Sequence, residues 1–478
     1  MAKDLRAFIE RLAAASPDQI HTVSRRVDRR FDITAIADRL GEEGRFPALF
    51  FTDVEGASMP LIINLTATYE RLALALDTSV PDMARVYGER QAKPIQAETV
   101  GDGPVKEVVL KGDAVDLSAL PIPFHNELDA GPYITGGVMI LKDPDTGAQN
   151  AGLYRHQVHD PRTLGVYIQG SHHGGHIHRR HSERGEPTEF ALVIGHYPTF
   201  MLGAVSRLPG IGGEFAEAGA LLQEPIELVQ AETVDLMVPA HAEIVIEGRL
   251  PPDETRLEGP FGEWTGYYVS VGAQPVMHVS AMTMRRNPIY YDVFPAGQEH
   301  LVLGSLPRMG TIYRRVREAV PGVVNVNVPA HARTHCYISI RKTRDSEVKR
   351  AAMAAISTEP ENLRCVVVVD DDINVFNEPE VTWAVGTRMR PDKDALTIPD
   401  WNGPGDLLPS NWTYTVDGTH EPVMGAVMIL DATKPAPPVQ YPQRARPPQD
   451  KVREVRLEGL LEPFDPSLLR SPKTLTGD

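Results

Sequence analysis

Apolar positions along this chain fall into three stretches of different rhythm. In the first hundred residues Leu5, Phe8, Ile9 and Leu12 recur at helical spacing, and Ser16-Pro17-Asp18 stops the run. A second helix is expected from Asp32, a side chain suited to capping, with Ile33, Ile36, Ala37 and Leu40 on one face and Gly41 to close it. Apolar runs over 47–51 and 61–65 read as strands, and 66–76 returns to helical period. Gly and Pro punctuation over 93–113, around a short strand at 105–110, marks a soft boundary.

From there to about residue 304 the rhythm is that of short strands, over 134–141, 164–169, 190–194, 226–230, 242–246, 276–284 and 289–293. Turn clusters such as Asp143-Pro144-Asp145-Thr146-Gly147 separate them, and one helical stretch, 214–222, interrupts them. Many short strands with few helices between them point to a barrel-like β domain. A linker helix over 306–319 leads into a second α/β unit, with strands at 323–328, 337–341 and 363–369 and helices at 347–356 and 380–389. Residues 434–448 (KPAPPVQYPQRARPP) hold too much proline for a helix or sheet interior and are expected to run extended, over the surface or along a partner subunit. The fold class is thus α/β (α+β), organised as an N-terminal α/β region over 1–112, a central strand-rich domain over 113–304, and a linker helix, C-terminal α/β domain and Pro-rich tail over 305–478.

Composition narrows the class. A chain of 478 residues can hold two to four domains at roughly 100–200 residues each. With 48 Lys+Arg against 64 Asp+Glu the formal charge is −16, which argues against non-specific binding to nucleic acid or to an anionic membrane. Cys336 and Cys365 are the only cysteines and form no C-x-x-C pair, so a reducing, cytoplasmic setting is expected. The charged start MAKDLRAFIERL lacks the apolar core of a signal peptide, and no run approaches the roughly 18 apolar residues of a membrane span.

Five clusters could carry chemistry. Glu258-Gly-Pro-Phe-Gly-Glu263-Trp-Thr-Gly-Tyr-Tyr268 sets two carboxylates around a segment that demands a tight turn or bulge. Both acids could face one cavity for acid–base work, or be the solvated corner of a hairpin. Asn150-Ala-Gly-Leu-Tyr-Arg155 follows a turn and on its own reads as a turn residue and a surface charge. Five histidines fall within residues 172–181, without the helical spacing of a zinc site. A solvated loop is expected for most of them, with Gly174-Gly175 able to let backbone N–H groups approach a phosphate. Glu214 opens a helix and either favours its dipole or ligates a hard cation; an Asn oxygen, a His and a Glu suit Mn²⁺ or Mg²⁺ better than zinc. Asp370-Asp-Asp-Ile-Asn374 ends an apolar strand, either as a cation site or as a polar turn.

Taken in order, these segments, together with Ser171-His-His-Gly-Gly175, the run from Leu202-Gly-Ala-Val205 to Glu214, and Val238-Pro-Ala-His-Ala-Glu-Ile-Val-Ile-Glu-Gly248, resemble the UbiD-type decarboxylases that use prenylated FMN. The resemblance covers roughly residues 100–435. It implies that the central domain is split β-barrel-like and binds the flavin, and that the C-terminal domain serves oligomerisation. It implies Asn150, His172 and Glu214 as ligands of Mn²⁺ (or Mg²⁺), and Arg155, Glu258 and Glu263 as the catalytic network, with Glu263 the proton donor. Leu153, Tyr154, Arg155, Ile168, Gln169, Gly170, His173 and Gly174 match cofactor contacts, and the turn over 205–208 matches a potassium site beside Glu214. The implied reaction is reversible, non-oxidative loss of CO₂ from an aromatic, heteroaromatic or α,β-unsaturated carboxylic acid. A flavin prenyltransferase would supply the cofactor, and the chain would form a homo-oligomer, a dimer or hexamer.

Two departures stand out. The lysine common in the family just before a Leu-Asp-Ala-Thr segment is missing ahead of Leu430-Asp-Ala-Thr433, leaving His173 and Arg179 as candidates to neutralise the cofactor phosphate. The residue after His172, often arginine, is His173. A flavin-binding accessory protein without decarboxylase activity is the alternative, and the intact Arg155, Glu258 and Glu263 argue against it. A metal-dependent hydrolase built on the histidine run lacks a second metal-spaced cluster.

Overall fold

The 13-residue strand Gly272–Met284 organises the centre of the molecule. The computed structural model describes residues 3–170, 172–207, 210–269, 272–402, 407–416, 420–460 and 463. Eight strands form the path of the central sheet: β1 (Tyr133–Ile134), β2 (Gly137–Lys142), β3 (Gln149–Leu153), β4 (His156–Asp160), β5 (Thr163–Val166), β6 (Thr188–Ile194), β7 (Ile244–Leu250) and β8 (Gly272–Met284). Their spatial order is β1-β4-β5-β8-β7-β6-β2-β3, and Val108–Lys111 and Thr255–Glu258 also pair with β8. Among the described residues the two ends of this path do not pair, so the sheet is curved out of neighbouring antiparallel strands without closing into a barrel. Where β7 shifts register after Glu247, Gly248 lies so close to the His278 carbonyl that a Cβ would collide with it.

The N-terminal sheet has the order Ile20–Val23, Ala48–Phe51, Leu61–Ile63, Tyr290–Tyr291. Its last strand comes from far along the chain and pairs parallel to Leu61–Ile63. The apolar run at 289–293 was expected among the central strands, and the short strand near 105–110 on the N-terminal side. Both join the sheet on the other side, because pairing across more than a hundred residues leaves no local mark. The C-terminal region is a five-stranded sheet, Val323–Asn327, His335–Ile340, Cys365–Asp370, Gly425–Ala432 and Ala395–Asn402 in spatial order, with helices Leu306–Ala319, Ser346–Thr358 and Glu378–Arg388. One buried apolar cluster runs continuously from Leu5 to Ile429 through all three regions. Cys336 and Cys365 are free and buried.

The histidine run is a helix, His173–Glu183, rather than a loop. Ile177 is buried, His178 Nδ1 meets Thr188 Oγ1 at 2.9 Å, and His181 Nε2 meets the Lys142 carbonyl at 3.1 Å. These positions share one face, but polar histidines stand where apolar residues would have revealed the period. The triple acid after Cys365–Asp370 is a polar turn held by arginines: Arg388 donates to Asp370 at 2.8 Å and to both oxygens of Asp372, and Arg341 to Asp371 at 2.7 Å. Lys434 onward forms a separate unit, irregular until the short helix Gln449–Glu454. No helix among the described residues is long and apolar enough to cross a membrane.

Two interior histidines make stability depend on acid. Burial pushes His156 down to about 4, partly offset by its bond to the Ile134 carbonyl, and His196 down to about 3. Both stay neutral in the folded chain while the unfolded chain protonates near 6.5. Their stabilisation is therefore complete above about pH 6.5 and is lost as the pH falls through 4. Urea titrations should show stability falling over that window, by about 3 kcal/mol from His156 alone, and His156→Gln should flatten that part of the slope.

Candidate active site

Arg155 stands in the two-residue link between β3 and β4, two strands that do not pair with each other. Its Nε and Nη2 donate to the two oxygens of Glu258 at 2.9 and 2.7 Å, and its Nη1 donates to Glu263 Oε1 at 2.6 Å. All three residues are buried. The guanidinium lies 4.4 Å from the Tyr167 ring centre and 4.7 Å from that of Phe261, so aromatic faces cover the cation that the carboxylates leave open. Burial disfavours its charge, but the bonds and charges of Glu258 and Glu263 outweigh that and hold it above the usual arginine range.

The turn between the acids explains why both reach one cation. Thr255–Glu258 ends its pairing with β8 at Glu258, opposite Gly272. Gly259 then takes φ +84°, and Phe261–Gly262 pairs back with Tyr268–Val269. A second segment clamps this turn. Asp129 Oδ1 accepts from the Gly262 N–H at 2.8 Å, the Ala130 N–H donates to the Pro260 carbonyl at 2.8 Å, and Asp129 Oδ2 accepts from the Asn126 N–H at 2.9 Å. A Cβ on Gly262 would meet Asn126 Nδ2 at 2.5 Å. Burial raises the Asp129 carboxyl against these N–H bonds. Nothing in the sequence around Asp129 marks it.

Asn150 and Glu214 form the second focus. Asn150 Nδ2 donates to Glu214 Oε1 at 2.7 Å, and both residues are buried. His173 Nδ1 lies 3.4 Å from the same carboxylate oxygen and 3.5 Å from Asn150 Nδ2. His172 precedes the helix and is exposed, so the distances join the second histidine of the pair, not the first, to Asn150 and Glu214. Asn150 Oδ1 and Glu214 Oε2 are buried without a hydrogen-bond partner. Two orphaned oxygens on adjacent side chains suit a hard cation.

Between the foci, Tyr154 packs against glycines. A Cβ on Gly152 would meet its ring at 2.6 Å, and one on Gly174 would run into its hydroxyl. A Cβ on Gly175 would run into the Gln169 carbonyl. Through this glycine pair the helix start packs against Tyr154 and Gln169. Burial pushes Tyr154 up to about 12. Beside Leu153 and Tyr154, the Ile168 N–H points to Gln274 Oε1 at 3.5 Å, Gln169 Nε2 donates to Tyr167 at 2.9 Å, and Gly170 borders open space. Ser171 and Leu208, part of the expected contact segments, lie outside the described residues. Arg179 is engaged within its own helix, with His176 at 3.1 Å. Beside the Leu430–Thr433 segment, buried Lys342 donates to Thr433 Oγ1 at 2.6 Å and to Asp345 at 2.8 Å.

The chain matches the 3-octaprenyl-4-hydroxybenzoate carboxy-lyase (UbiD) family in three consecutive parts, the N-terminal domain at residues 12–91, the Rift-related domain at 98–298 and the C-terminal domain at 301–431. It is similar to the anhydromevalonate phosphate decarboxylase of Methanothermobacter thermautotrophicus, 36% identical over 355 residues that cover 73% of this chain and 82% of the relative. Its fold is similar to an evolved dimeric form of the UbiD-class enzyme HmfF from Pelotomaculum thermopropionicum, solved in complex with prFMN. The TM-score is 0.84 at 34% identity, over 96% of this chain and 100% of the other. It is also similar to the 3,4-dihydroxybenzoic acid decarboxylase AroY of Klebsiella pneumoniae, with TM-score 0.84 at 26% identity, over 95% of this chain and 99% of the other.

Removing the shared cation should be costly. Arg155→Met leaves two buried carboxylates without their partner and should lower the unfolding free energy by roughly 3–5 kcal/mol at neutral pH, measured by chemical denaturation. The loss should shrink in acid, where the carboxylates take up protons.

Proposed function

This chain belongs to the UbiD family of carboxy-lyases and is a decarboxylase, and on that footing we propose that it catalyses reversible, non-oxidative decarboxylation of an aromatic, heteroaromatic or α,β-unsaturated acid with prenylated FMN as cofactor. The observation that carries the reading is the buried contact of Arg155 with both Glu258 and Glu263. Loss of CO₂ from an sp² carbon leaves a carbanion with no resonance outlet, and the modified flavin supplies that electron sink when bound. The side chains supply orientation and a proton.

One guanidinium balances one carboxylate, so the buried trio carries a net negative charge until a proton joins it. Glu258 is gripped through both oxygens, whereas Glu263 shares one oxygen with Arg155 and receives the Trp264 N–H on the other at 3.0 Å. Glu263 is therefore the carboxyl we assign to deliver the proton to the carbon that CO₂ leaves, and Glu258 holds Arg155 aligned. Arg155 also orients the incoming carboxylate.

Asn150 and Glu214 are assigned to a Mn²⁺ (or Mg²⁺) ion at the cofactor phosphate, their two unpartnered oxygens facing it, with His172 as third ligand and His173 on the phosphate. Potassium is assigned beside Glu214, against the turn that begins at Val205. Leu153, Tyr154, Ile168, Gln169, Gly170 and Gly174 complete the cofactor site. The chain would work in the cytoplasm as a homo-oligomer, loaded by a flavin prenyltransferase.

Two measurements test this. Protein co-expressed with a flavin prenyltransferase should exchange solvent deuterium into the product carbon of at least one acid in a broad panel; no exchange despite bound cofactor would sink the reading. Glu263→Gln should slow exchange by roughly 100-fold or more while leaving the bound flavin spectrum intact, and full activity would remove its role as acid. For the metal, His172→Asn and His173→Asn should part company. Manganese content should fall in the first and persist in the second, and the opposite result would assign the ligand to His173.

A further inference from the structure

Glu263 sits on a weakly supported piece of backbone. Phe261–Gly262 and Tyr268–Val269 form a ribbon that joins no larger sheet among the described residues, and a ribbon that short does not hold its shape alone in water. Its turn is closed by the Glu263 N–H on the Tyr267 carbonyl at 3.0 Å and the Gly266 N–H on the Glu263 carbonyl at 2.8 Å. Inward, Phe261 is buried, its ring centre 4.6 Å from that of Tyr133. Outward, Tyr267, Tyr268 and the neighbouring Leu257 are exposed, so packing supports one side only. The bond from Arg155 to Glu263 Oε1 is a poor anchor, because proton delivery needs that carboxyl to meet the substrate.

The support comes from residues 125–130. Asp129 Oδ1 holds the Gly262 N–H at 2.8 Å, the Ala130 N–H donates to the Pro260 carbonyl at 2.8 Å, and the Leu128 N–H donates to the Tyr268 hydroxyl at 3.1 Å, so both strands of the ribbon are tied. Asn126 Nδ2 lies 3.4 Å from Asp129 Oδ2 and packs against Gly262. This segment is rooted in the interior. His125 Nε2 meets Asp292 Oδ2 at 2.7 Å, with both side chains buried. Thr135 Oγ1 donates to Asp292 Oδ1 at 2.8 Å, and Thr34 Oγ1 donates to the His125 carbonyl at 2.8 Å. A buried network drawn from distant segments makes a fixed base. Asp129 is the side chain that joins this base to the backbone of the residue before Glu263.

We propose that Asp129 is a positioning residue for the proton-transfer step: through the Gly262 N–H, on the base made by His125 and Asp292, it holds Glu263 where it can protonate the carbon that CO₂ leaves. The proposal rests on the decarboxylase reading and on Glu263 as its acid. The two halves of the reaction separate this role from a merely structural one. Loss of CO₂ breaks the C–C bond, its electron pair goes to the flavin sink, and no proton is involved. The second half returns that pair to the carbon as the Glu263 O–H bond breaks and a C–H bond forms. A displaced acid slows only the second half, and steeply, since about 1 Å of misplacement can cost roughly 100-fold.

The test follows two labels on cofactor-loaded protein, using an acid from the panel that the wild-type enzyme accepts. One label is ¹³C-bicarbonate entering the carboxyl group of the acid, and the other is solvent deuterium entering the product carbon. Asp129→Ala should slow deuterium exchange by about tenfold or more while carboxyl exchange stays near the wild-type rate and the bound flavin spectrum is unchanged. Asp129→Asn, which keeps an oxygen for the Gly262 N–H, should recover most of the deuterium exchange. If Asp129→Ala folds poorly, Asn126→Ala, at a half-buried position, should show the same split to a smaller degree. Equal slowing of both labels, or no slowing of either, overturns the proposal, as does an Asp129→Asn variant no better than Asp129→Ala. Wild-type protein that exchanges neither label with any acid refutes the decarboxylase reading, and this proposal falls with it. An active wild-type enzyme whose variants lack the split refutes this proposal alone.

Discussion

A single buried arginine shared by two carboxylates is the constraint around which the centre of this protein is arranged. Taking three charges out of water is unfavourable unless each meets its partner in good geometry. Arg155 therefore fixes the ends of two otherwise independent chain segments, the β3–β4 link and the turn from Glu258 to Glu263. The aromatic rings of Tyr167 and Phe261 on the guanidinium exclude water from the trio, and the Asp129 carboxylate holds the backbone of the turn from behind. The same arrangement that is costly to fold is suited to chemistry, because one cation between two acids leaves one charge for a proton to cancel.

The surrounding fold delivers these segments to one place. β8 carries the register of the turn through Thr255–Glu258, and β3 ends two residues before Arg155 after bringing Asn150 beside Glu214. Tyr290–Tyr291 crosses into the N-terminal sheet, and eight residues further Glu299 accepts the N–H groups of Asn64 and Thr66 at 2.7 and 2.6 Å. The N-terminal region thereby fixes the start of the helix Gln298–Leu303. Closely approached glycines, Gly248 in the sheet and Gly174 against Tyr154, are where the backbone itself has to fit.

Much of this could be read from the sequence, for identifiable reasons. Local periodicity revealed the helices near Leu5–Ala15, Leu306–Ala319 and Ser346–Thr358, and the string from Glu258 to Tyr268 announced a tight turn between two acids. Sequence spacing could not announce that both acids meet Arg155, more than a hundred residues away; only the resemblance to a known family implied it. The histidine run misled because its inner face holds one apolar residue, Ile177, and is otherwise anchored by histidine hydrogen bonds. Asp129 was missed because the Gly262 N–H it holds belongs to a distant segment, which leaves no pattern in sequence. The triple acid at Asp370–Asp372 shows the converse, a cation-site pattern that two arginines satisfy.

If Arg155 and Glu258 act as one unit that presents Glu263 to the substrate, their removal cannot be counted twice. A double-mutant cycle of Arg155→Met and Glu258→Gln, read as the rate of deuterium exchange by cofactor-loaded protein, measures this directly. The account predicts that the double variant is no slower than the slower single variant, to within about a factor of three, a coupling as strong as contact residues show. Losses that multiply, each variant slowing exchange by its own factor in the presence of the other, would contradict it.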